Sequence, residues 1–348
     1  MRNIIGIGET VLDIIFRRDQ PQRAVPGGST FNALISLGRM LGTRTRGSAS
    51  TERSDQDFGT VKMITETGDD HIGHIITSFM EQNHVSTDLV TINPGTQSHL
   101  SLAFLDEESN AQYEFYKDHA AAKLNTGFAS HNTLNGKEDN RALSDVNFTS
   151  SDIILFGSFF AINPVLRSQT RFLFKAAHDA GAILYYDINF RRSHIKDIPA
   201  TLGNLEENMR LATVVRGSAE DFGYLYGTTD PKEVYERYIR QHCPSFICTD
   251  GSRPTQIFLS AADGETRMFQ VDVPEVGHVV STIGAGDNFN AGFVYGIVQR
   301  GFERKDFADA VSLGSSHQSF IALIQQAQRF SAHVCGRMDN YVDVSFRP

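Results

Sequence analysis

Ile153-Ile154-Leu155-Phe156 is followed by Asn163-Pro164, by helical spacing over residues 165–180, by Gly181, and then by Ile183-Leu184-Tyr185-Tyr186. The two aliphatic runs read as strands, Asn163 as a helix cap, Pro164 as the first helical residue and Gly181 as the stop. Strand, crossover helix and second strand make a βαβ unit, and strands joined in that way lie parallel. The second strand runs directly into Asp187-Ile188-Asn189-Phe190-Arg191. Polar residues are thus set beyond a strand's carboxyl end, the edge where open α/β sheets bind their ligands.

The same alternation extends through most of the chain. Thr213-Val214-Val215 reads as another strand, as does Phe246-Ile247-Cys248-Thr249 with Asp250-Gly251 turning behind it. A mostly parallel sheet with crossover helices, the α/β class, follows. Leu100 to Leu105, an acidic turn over 106–110 and Gln112 to Tyr116 read instead as a β-hairpin: a lid, an oligomer contact, or an edge of the main sheet. Residues 43–58 and 130–147 are loop-like, Phe172, Leu173 and Phe174 read as core, and no internal repeat occurs.

With 348 residues, 40% of them hydrophobic, the chain can bury a substantial core. Its 41 acidic against 32 basic residues, a net charge of -9, argue against a protein that neutralises a nucleic-acid backbone. Any phosphate it binds must be held by local geometry. Cys243, Cys248 and Cys335 form no C-x-x-C pair, so neither a disulfide framework nor a thiolate zinc site is expected. The amino terminus turns polar too soon for a signal peptide, and no apolar run has membrane-spanning length. A cytoplasmic location is expected, which makes the sequon Asn147-Phe148-Thr149 incidental.

Two segments carry chemistry. In Ser281-Thr282-Ile283-Gly284-Ala285-Gly286-Asp287, the apolar Val279-Val280 stands before, and Phe289, Phe293, Val294 and Ile297 follow at helical spacing up to Gly301. Gly284, Ala285 and Gly286 therefore lie at a helix amino terminus, where backbone N–H groups and the helix dipole favour an anion. Asp287, in the first turn, can take a proton from an alcohol that attacks a terminal phosphate. Read blandly, the same residues make a tight turn and a helix cap. In the second segment, Pro26-Gly27-Gly28-Ser29-Thr30-Phe31-Asn32, Ser29 reads as the cap of a helix closed by Gly42. Its paired glycines let a small ligand approach the backbone, and the Asn32 amide can both donate to and accept from sugar hydroxyls.

Together these segments resemble the two signatures of the ribokinase, or PfkB, family of carbohydrate kinases. The resemblance covers most of the chain in order: Gly8-Glu9 with Asp13, the Gly27-Gly28 and Asn32 element, Gly68-Asp69-Asp70 with Gly73, Phe115-Tyr116-Lys117 before Ala120-Ala121, Asp187-x-Asn189-x-Arg191, and Gly284 to Asp287. It implies one ribokinase-like three-layer α/β/α domain over residues 1–348, with lid segments near 11–26 and 95–118, that moves the terminal phosphate of ATP, with Mg²⁺, to a sugar hydroxyl. Asp287 would be the base and Gly284, Ala285 and Gly286 the anion hole. Asp13, Gly27, Gly28, Asn32, Lys117, Asn189 and Arg191 would hold the sugar. Ser218, Thr249, Gly251 and the Gly284 and Gly286 loop would hold the nucleotide, with His317 on the next helix near the adenine. A homodimer through the lid is a further implication.

Two positions and two stretches depart from the family pattern. Ser281 replaces an aspartate associated with a monovalent cation, so potassium activation is not expected. Asp221 stands where a glutamate organises magnesium and phosphate, which makes it an indirect metal residue. Residues 43–58 look like an insertion, and those after Arg329 an extension. Asp187-x-Asn189-x-Arg191 resembles kinases of fructose or of 2-keto-3-deoxygluconate; Lys117, in place of an arginine, loses the bidentate fork and favours a neutral sugar.

Other readings compete less well. A nicotinamide-binding Rossmann fingerprint beginning at Gly6-Ile7-Gly8 has Val11 at its third glycine, and no Walker Gly-Lys-Ser or Gly-Lys-Thr occurs. A nucleoside kinase, or a non-catalytic sugar sensor on the same fold, remains as an alternative. His71 and His74 beside Asp69 and Asp70 read as solvated surface rather than metal ligands, and Ser193-x-x-Lys196 lacks the partners of a serine hydrolase.

Overall fold

The computed structural model describes residues 2–42, 58–105, 111–116, 124, 146–261, 264–311 and 315–347. Strands β1 (Arg2–Ile7), β2 (Val11–Arg17) and β3 (Gln20–Gly27) lead into α1 (Ser29–Gly42). Next come β4 (Phe58–Gly68), α2 (His71–Gln82), β5 (Val85–Ser86), β6 (Val90–Asn93), β7 (Leu100–Leu105) and β8 (Ala111–Tyr116). The central part holds β9 (Ile153–Gly157), α3 (Ser158–Ile162), α4 (Arg167–Asp179), β10 (Ile183–Asp187), α5 (Ile198–Leu211), β11 (Val214–Ser218), α6 (Ala219–Tyr226) and α7 (Pro231–Val234). After it follow β12 (Ser245–Asp250), β13 (Arg253–Ser260), β14 (Thr266–Val271), α8 (Ala285–Arg300), α9 (Arg304–Asp309) and α10 (Ser315–Cys335).

The large sheet runs in the order β14-β13-β12-β11-β10-β9-β1-β4-β5, with β6 added beside β4. From β12 to β5 neighbouring strands are parallel, and only β13 and β14 are antiparallel. Helices cover both faces, which is why these strands are apolar throughout rather than alternating with polar residues. In β9, Ile153 and Leu155 enter a core shared with α1, α8 and α10, while Ile154 and Phe156 enter a second core with α4, α5 and α6. Each such side chain contributes on the order of 1.5–3 kcal/mol by leaving water. Among the described residues, no helix is long and apolar enough to cross a membrane.

A second, four-stranded sheet is separate, in the order β3-β2-β7-β8. The hairpin expected at residues 100–116 belongs to it, with β7 laid parallel to β2. It is therefore not an edge of the main sheet.

Several local expectations are corrected. Asn163 does not open the crossover helix: it ends α3, and its side chain accepts from the Val165 N–H at 3.0 Å while α4 starts at Arg167 after Leu166. Ser29 is the first residue of α1, not its cap. Phe172 is 37% exposed, whereas Leu173 and Phe174 are fully buried. Val279, in the apolar run before the glycine loop, is 53% exposed in irregular chain. Phe58, placed at the end of a loop, opens β4. His317 lies on α10, one helix beyond the next. His71 and His74 lie exposed on α2, as expected. The rest of the 43–58 stretch, residues 130–145, the 106–110 turn and Lys117 fall outside the described residues.

Candidate active site

Helix α8 begins at Gly284, whose φ of +77° turns the chain into the helix, and no side chain caps this end. First-turn N–H groups have no intrahelical partner, so an uncapped start presents them outward. The Ala285 N–H turns back to the Thr282 carbonyl at 3.2 Å, leaving those of Gly286 and Asp287 as the next in line. Beneath Gly286 lies the Arg216 guanidinium. A Cβ at Gly286 would sit 3.2 Å from both of its Nη atoms, so a larger residue there requires the guanidinium to give way by a few tenths of an ångström.

Asp287 is 8% exposed, and its Oδ2 accepts from Asn32 Nδ2 at 2.8 Å. The hydroxyl of Ser29 bonds the same carboxylate. Both partners come from the first turn of α1, which explains why Ser29 leaves the capping role. Burial lifts the Asp287 carboxyl from 3.8 to about 6, against the Asn32 bond and the Arg191 charge. Such a group is charged at neutral pH yet close enough to it to take a proton.

A second polar chain ties three neighbouring strand ends together. Arg216 on β11 donates from Nη1 to Asp187 Oδ1 on β10 at 3.0 Å and from Nη2 to Thr249 Oγ1 on β12 at 2.6 Å. Asn290 of α8 donates to Asp187 Oδ2 at 2.6 Å and accepts from the Tyr185 hydroxyl at 3.0 Å. Burial alone would favour losing the Arg216 charge, but Asp187 outweighs it and holds the guanidinium above its ordinary range. Its Nε is buried with no hydrogen-bond partner.

The remaining expected residues fall around these two clusters. Asp13 lies so close to Gly27 that any side chain at 27 would overlap its carboxylate. Gly28 (φ +120°) joins β3 to α1. Asn189, with φ +38°, and the exposed Arg191 follow β10 at the carboxyl edge. Ser218 caps α6 in a capping box: its N–H donates to Asp221 Oδ2 at 2.6 Å, and its Oγ accepts from the Asp221 N–H at 3.2 Å. Burial first, then the nearby charge of Asp187, push the Asp221 carboxyl above its ordinary value. Gly251 makes the β12–β13 turn with φ +55°. The His317 ring packs edge-on against Phe269 at 4.6 Å, with Nδ1 3.2 Å from the Ala310 carbonyl oxygen. No contact recorded for the described residues joins it to Asp287.

Arg216, Asn288, Asn290 and residues 339–342 were not anticipated. The first did leave a signal, since a lone cation inside Val214-Val215-Arg216-Gly217 is out of place in a strand buried on both faces. Asn288 is a hub: it donates to the Gly284 and Asn340 carbonyls at 2.8 Å each and accepts from Ser36 Oγ at 2.6 Å. The segment beyond α10 passes between the glycine loop and the small sheet. There Tyr341 donates to the Pro26 carbonyl, Val342 N donates to Ser36 Oγ at 3.1 Å, and Asp339 pairs with Arg23 of β3 at 2.6 Å.

An uncapped helix start beside a buried carboxylate, at the carboxyl edge of a parallel sheet, is an arrangement with which an α/β protein can support phosphoryl transfer to an alcohol. The chain matches the pfkB family carbohydrate kinase profile over residues 1–331 and belongs to that family. It is an ATP-dependent sugar kinase, a phosphotransferase with an alcohol acceptor. Among its relatives, a probable fructokinase-5 of Arabidopsis thaliana is 24% identical over 306 residues, 86% of this chain and 83% of that protein. The fructokinase of Xylella fastidiosa with bound ATP superposes with a TM-score of 0.73 at 20% identity, covering 99% of this chain and 96% of that one. A fructokinase of Vibrio cholerae O395, bound to fructose, ADP and calcium ion, gives a TM-score of 0.73 at 18% identity over 99% and 96% of the two chains.

Proposed function

We propose that the chain phosphorylates a fructose-like sugar and that Asp287 is the general base. The observation that carries this reading is the Asp287 carboxylate, buried, lifted to about 6 and held by Asn32 at the uncapped start of α8. An acceptor hydroxyl gives its proton to Asp287 as its oxygen attacks the terminal phosphorus of ATP. Charge developing on the transferred group meets the N–H groups of Gly286 and Asp287, and the bond to the ADP oxygen breaks. Asp13, Gly27, Gly28, Asn32, Asn189 and Arg191 form the sugar's surroundings; Lys117, outside the described residues, is assigned to the sugar by the family resemblance alone. Ser218, Thr249, Gly251, the glycine loop and His317 form those of the nucleotide. Arg216 acts through others: it fixes the Thr249 hydroxyl and neutralises Asp187, so that Asp287 faces less negative charge.

Mg²⁺ takes phosphate oxygens and waters with one or two carboxylates, which suits a site where one Asp221 oxygen is already committed to the Ser218 N–H and the other is left to act through water. When bound, the ion would neutralise the phosphates. We assign no potassium dependence, because the buried Ser281 Oγ is turned into its own loop, accepting from the Ile283 N–H at 3.2 Å. Fructose is preferred to 2-keto-3-deoxygluconate because the similar proteins above are named fructokinases. The small sheet acts as a lid that excludes water from the reaction. Its exposed Phe115 and Tyr116 supply a surface for pairing with a second copy, and three free cysteines suit the cytoplasm.

The test is coupled ADP release with Mg-ATP across fructose, ribose, 2-keto-3-deoxygluconate, tagatose 6-phosphate and adenosine, run beside Asp287→Asn. Release that depends on fructose and vanishes in the variant supports the proposal. Preference for another acceptor overturns the substrate, and full release by the variant overturns the base.

A further inference from the structure

One face of the small sheet looks onto the glycine loop. Strand pairing sets Asp13 level with Ser101 and Val25, and Ile15 level with Ala103. Residues opposite each other in neighbouring strands share a face, and so do alternate residues along one strand, which places all five on the same side. Ile15, Val25 and Ala103 are buried there around Ile283, the residue before Gly284. On that same face Asp13 reaches Gly27.

Ser101 is 0% exposed, and its hydroxyl finds no hydrogen-bond partner. Asn32 Oδ1 is likewise buried without a partner, while its amide N–H is committed to Asp287. Buried serines with structural duties in this fold are satisfied: Ser36 Oγ bonds Asn288, and Ser98 Oγ bonds Asp70 and Thr67. A buried hydroxyl left unpaired costs about 1–3 kcal/mol, and natural proteins hold few of them. An alanine at 101 would fill the same place on the strand without that cost. The hydroxyl gains a use when a ligand group reaches the sheet face that Ser101 shares with Asp13.

We propose that Ser101 is a specificity-determining residue of the acceptor site, its hydroxyl pairing with an acceptor hydroxyl other than the one that is phosphorylated. The acceptor is then a polyhydroxylated sugar that satisfies Ser101 Oγ and Asn32 Oδ1 at once. This rests on the sugar-kinase reading above. A sugar lacking the matching hydroxyl leaves the Ser101 hydroxyl unpaired and is discriminated against for that reason.

The test compares wild type with Ser101→Ala on fructose and on its single-deoxy analogues. KM for fructose rises roughly tenfold in the variant, the loss of one buried hydrogen bond, while KM for Mg-ATP does not move. For one analogue the two proteins become equal, and that analogue identifies the hydroxyl. Ligand-free Ser101→Ala melts no lower than wild type, because no bond within the protein is lost; a structural serine would lower it. An unchanged KM for fructose, or the same ratio of variant to wild type for every analogue, overturns the proposal. Titration calorimetry separates the two readings. Wild type that binds fructose without turning it over defeats the kinase assignment, and the same titration of Ser101→Ala still decides the role of Ser101. Wild type that binds no sugar defeats both.

Discussion

Replacing Asp287 with asparagine separates what this carboxylate does for the reaction from what it costs the fold. Burial raises the carboxyl from 3.8 to about 6 despite the bonds from Asn32 and Ser29. An unfolded chain releases this proton near 3.8, the folded chain only near 6, so rising pH favours unfolding across that window. The gap of about two pH units corresponds to about 3 kcal/mol at 1.36 kcal/mol per unit, fully expressed above pH 6 and absent below the unfolded value. Asparagine carries no charge, and its oxygen can still accept from Asn32 Nδ2. Ligand-free Asp287→Asn should therefore be more stable than wild type at pH 8 by up to about 3 kcal/mol, the difference closing as pH falls to 4. Turnover should fall by about 10²–10⁴-fold with nucleotide affinity retained, and wild-type kcat/KM should decline as pH drops through about 6. Urea unfolding of both proteins between pH 4 and 8, beside coupled ADP release, measures these effects. A variant less stable than wild type at pH 8, or a difference that ignores pH, would refute the reasoning from burial.

Arg216→Met should destabilise the protein by about 3–5 kcal/mol in denaturant, because it strands the buried Asp187 carboxylate, while Arg216→Lys should lose less; equal stability of Arg216→Met and wild type counts against the strand-end clamp. Asn288→Ala leaves the Gly284 and Asn340 carbonyls and the Ser36 hydroxyl short of a partner, so a loss of about 1–3 kcal/mol with a higher KM for ATP is expected, and an unaltered KM would detach this hub from the glycine loop. A chain ended after Met338 should lose turnover, whereas one ended after Asp343 should keep it. Equal activity of the two truncations would show that residues 339–342 do not seat the loop.

The βαβ unit could be read from the sequence because its signals are local: apolar period, helix stop, and a polar run behind a strand. The start of α8 and its carboxylate were legible for the same reason. Asn163 misled because α3, a single short turn, ends on the residue that was taken to begin α4. Ser29 misled because a hydroxyl at a helix start can cap the helix or serve a neighbour, and the neighbour here is Asp287, far away in the chain. Ser101 carries no local mark at all. Its place beside Asp13 follows from the parallel pairing of β2 with β7, which no period along either strand reveals. Residues 339–342 are equally silent, since the backbone groups of Asn340 and Val342, rather than any side-chain pattern, make much of their contact.

Those four residues also fix when the enzyme comes into being during translation. Asn32 is made 255 positions before its partner Asp287, and Asn340 follows Asn288 by a further 52. A nascent chain can complete the sheet and hold both ends of the Asn32–Asp287 hydrogen bond while the glycine loop still lacks its support. If those residues seat the glycine loop, full activity is expected only once 339–342 have left the ribosome.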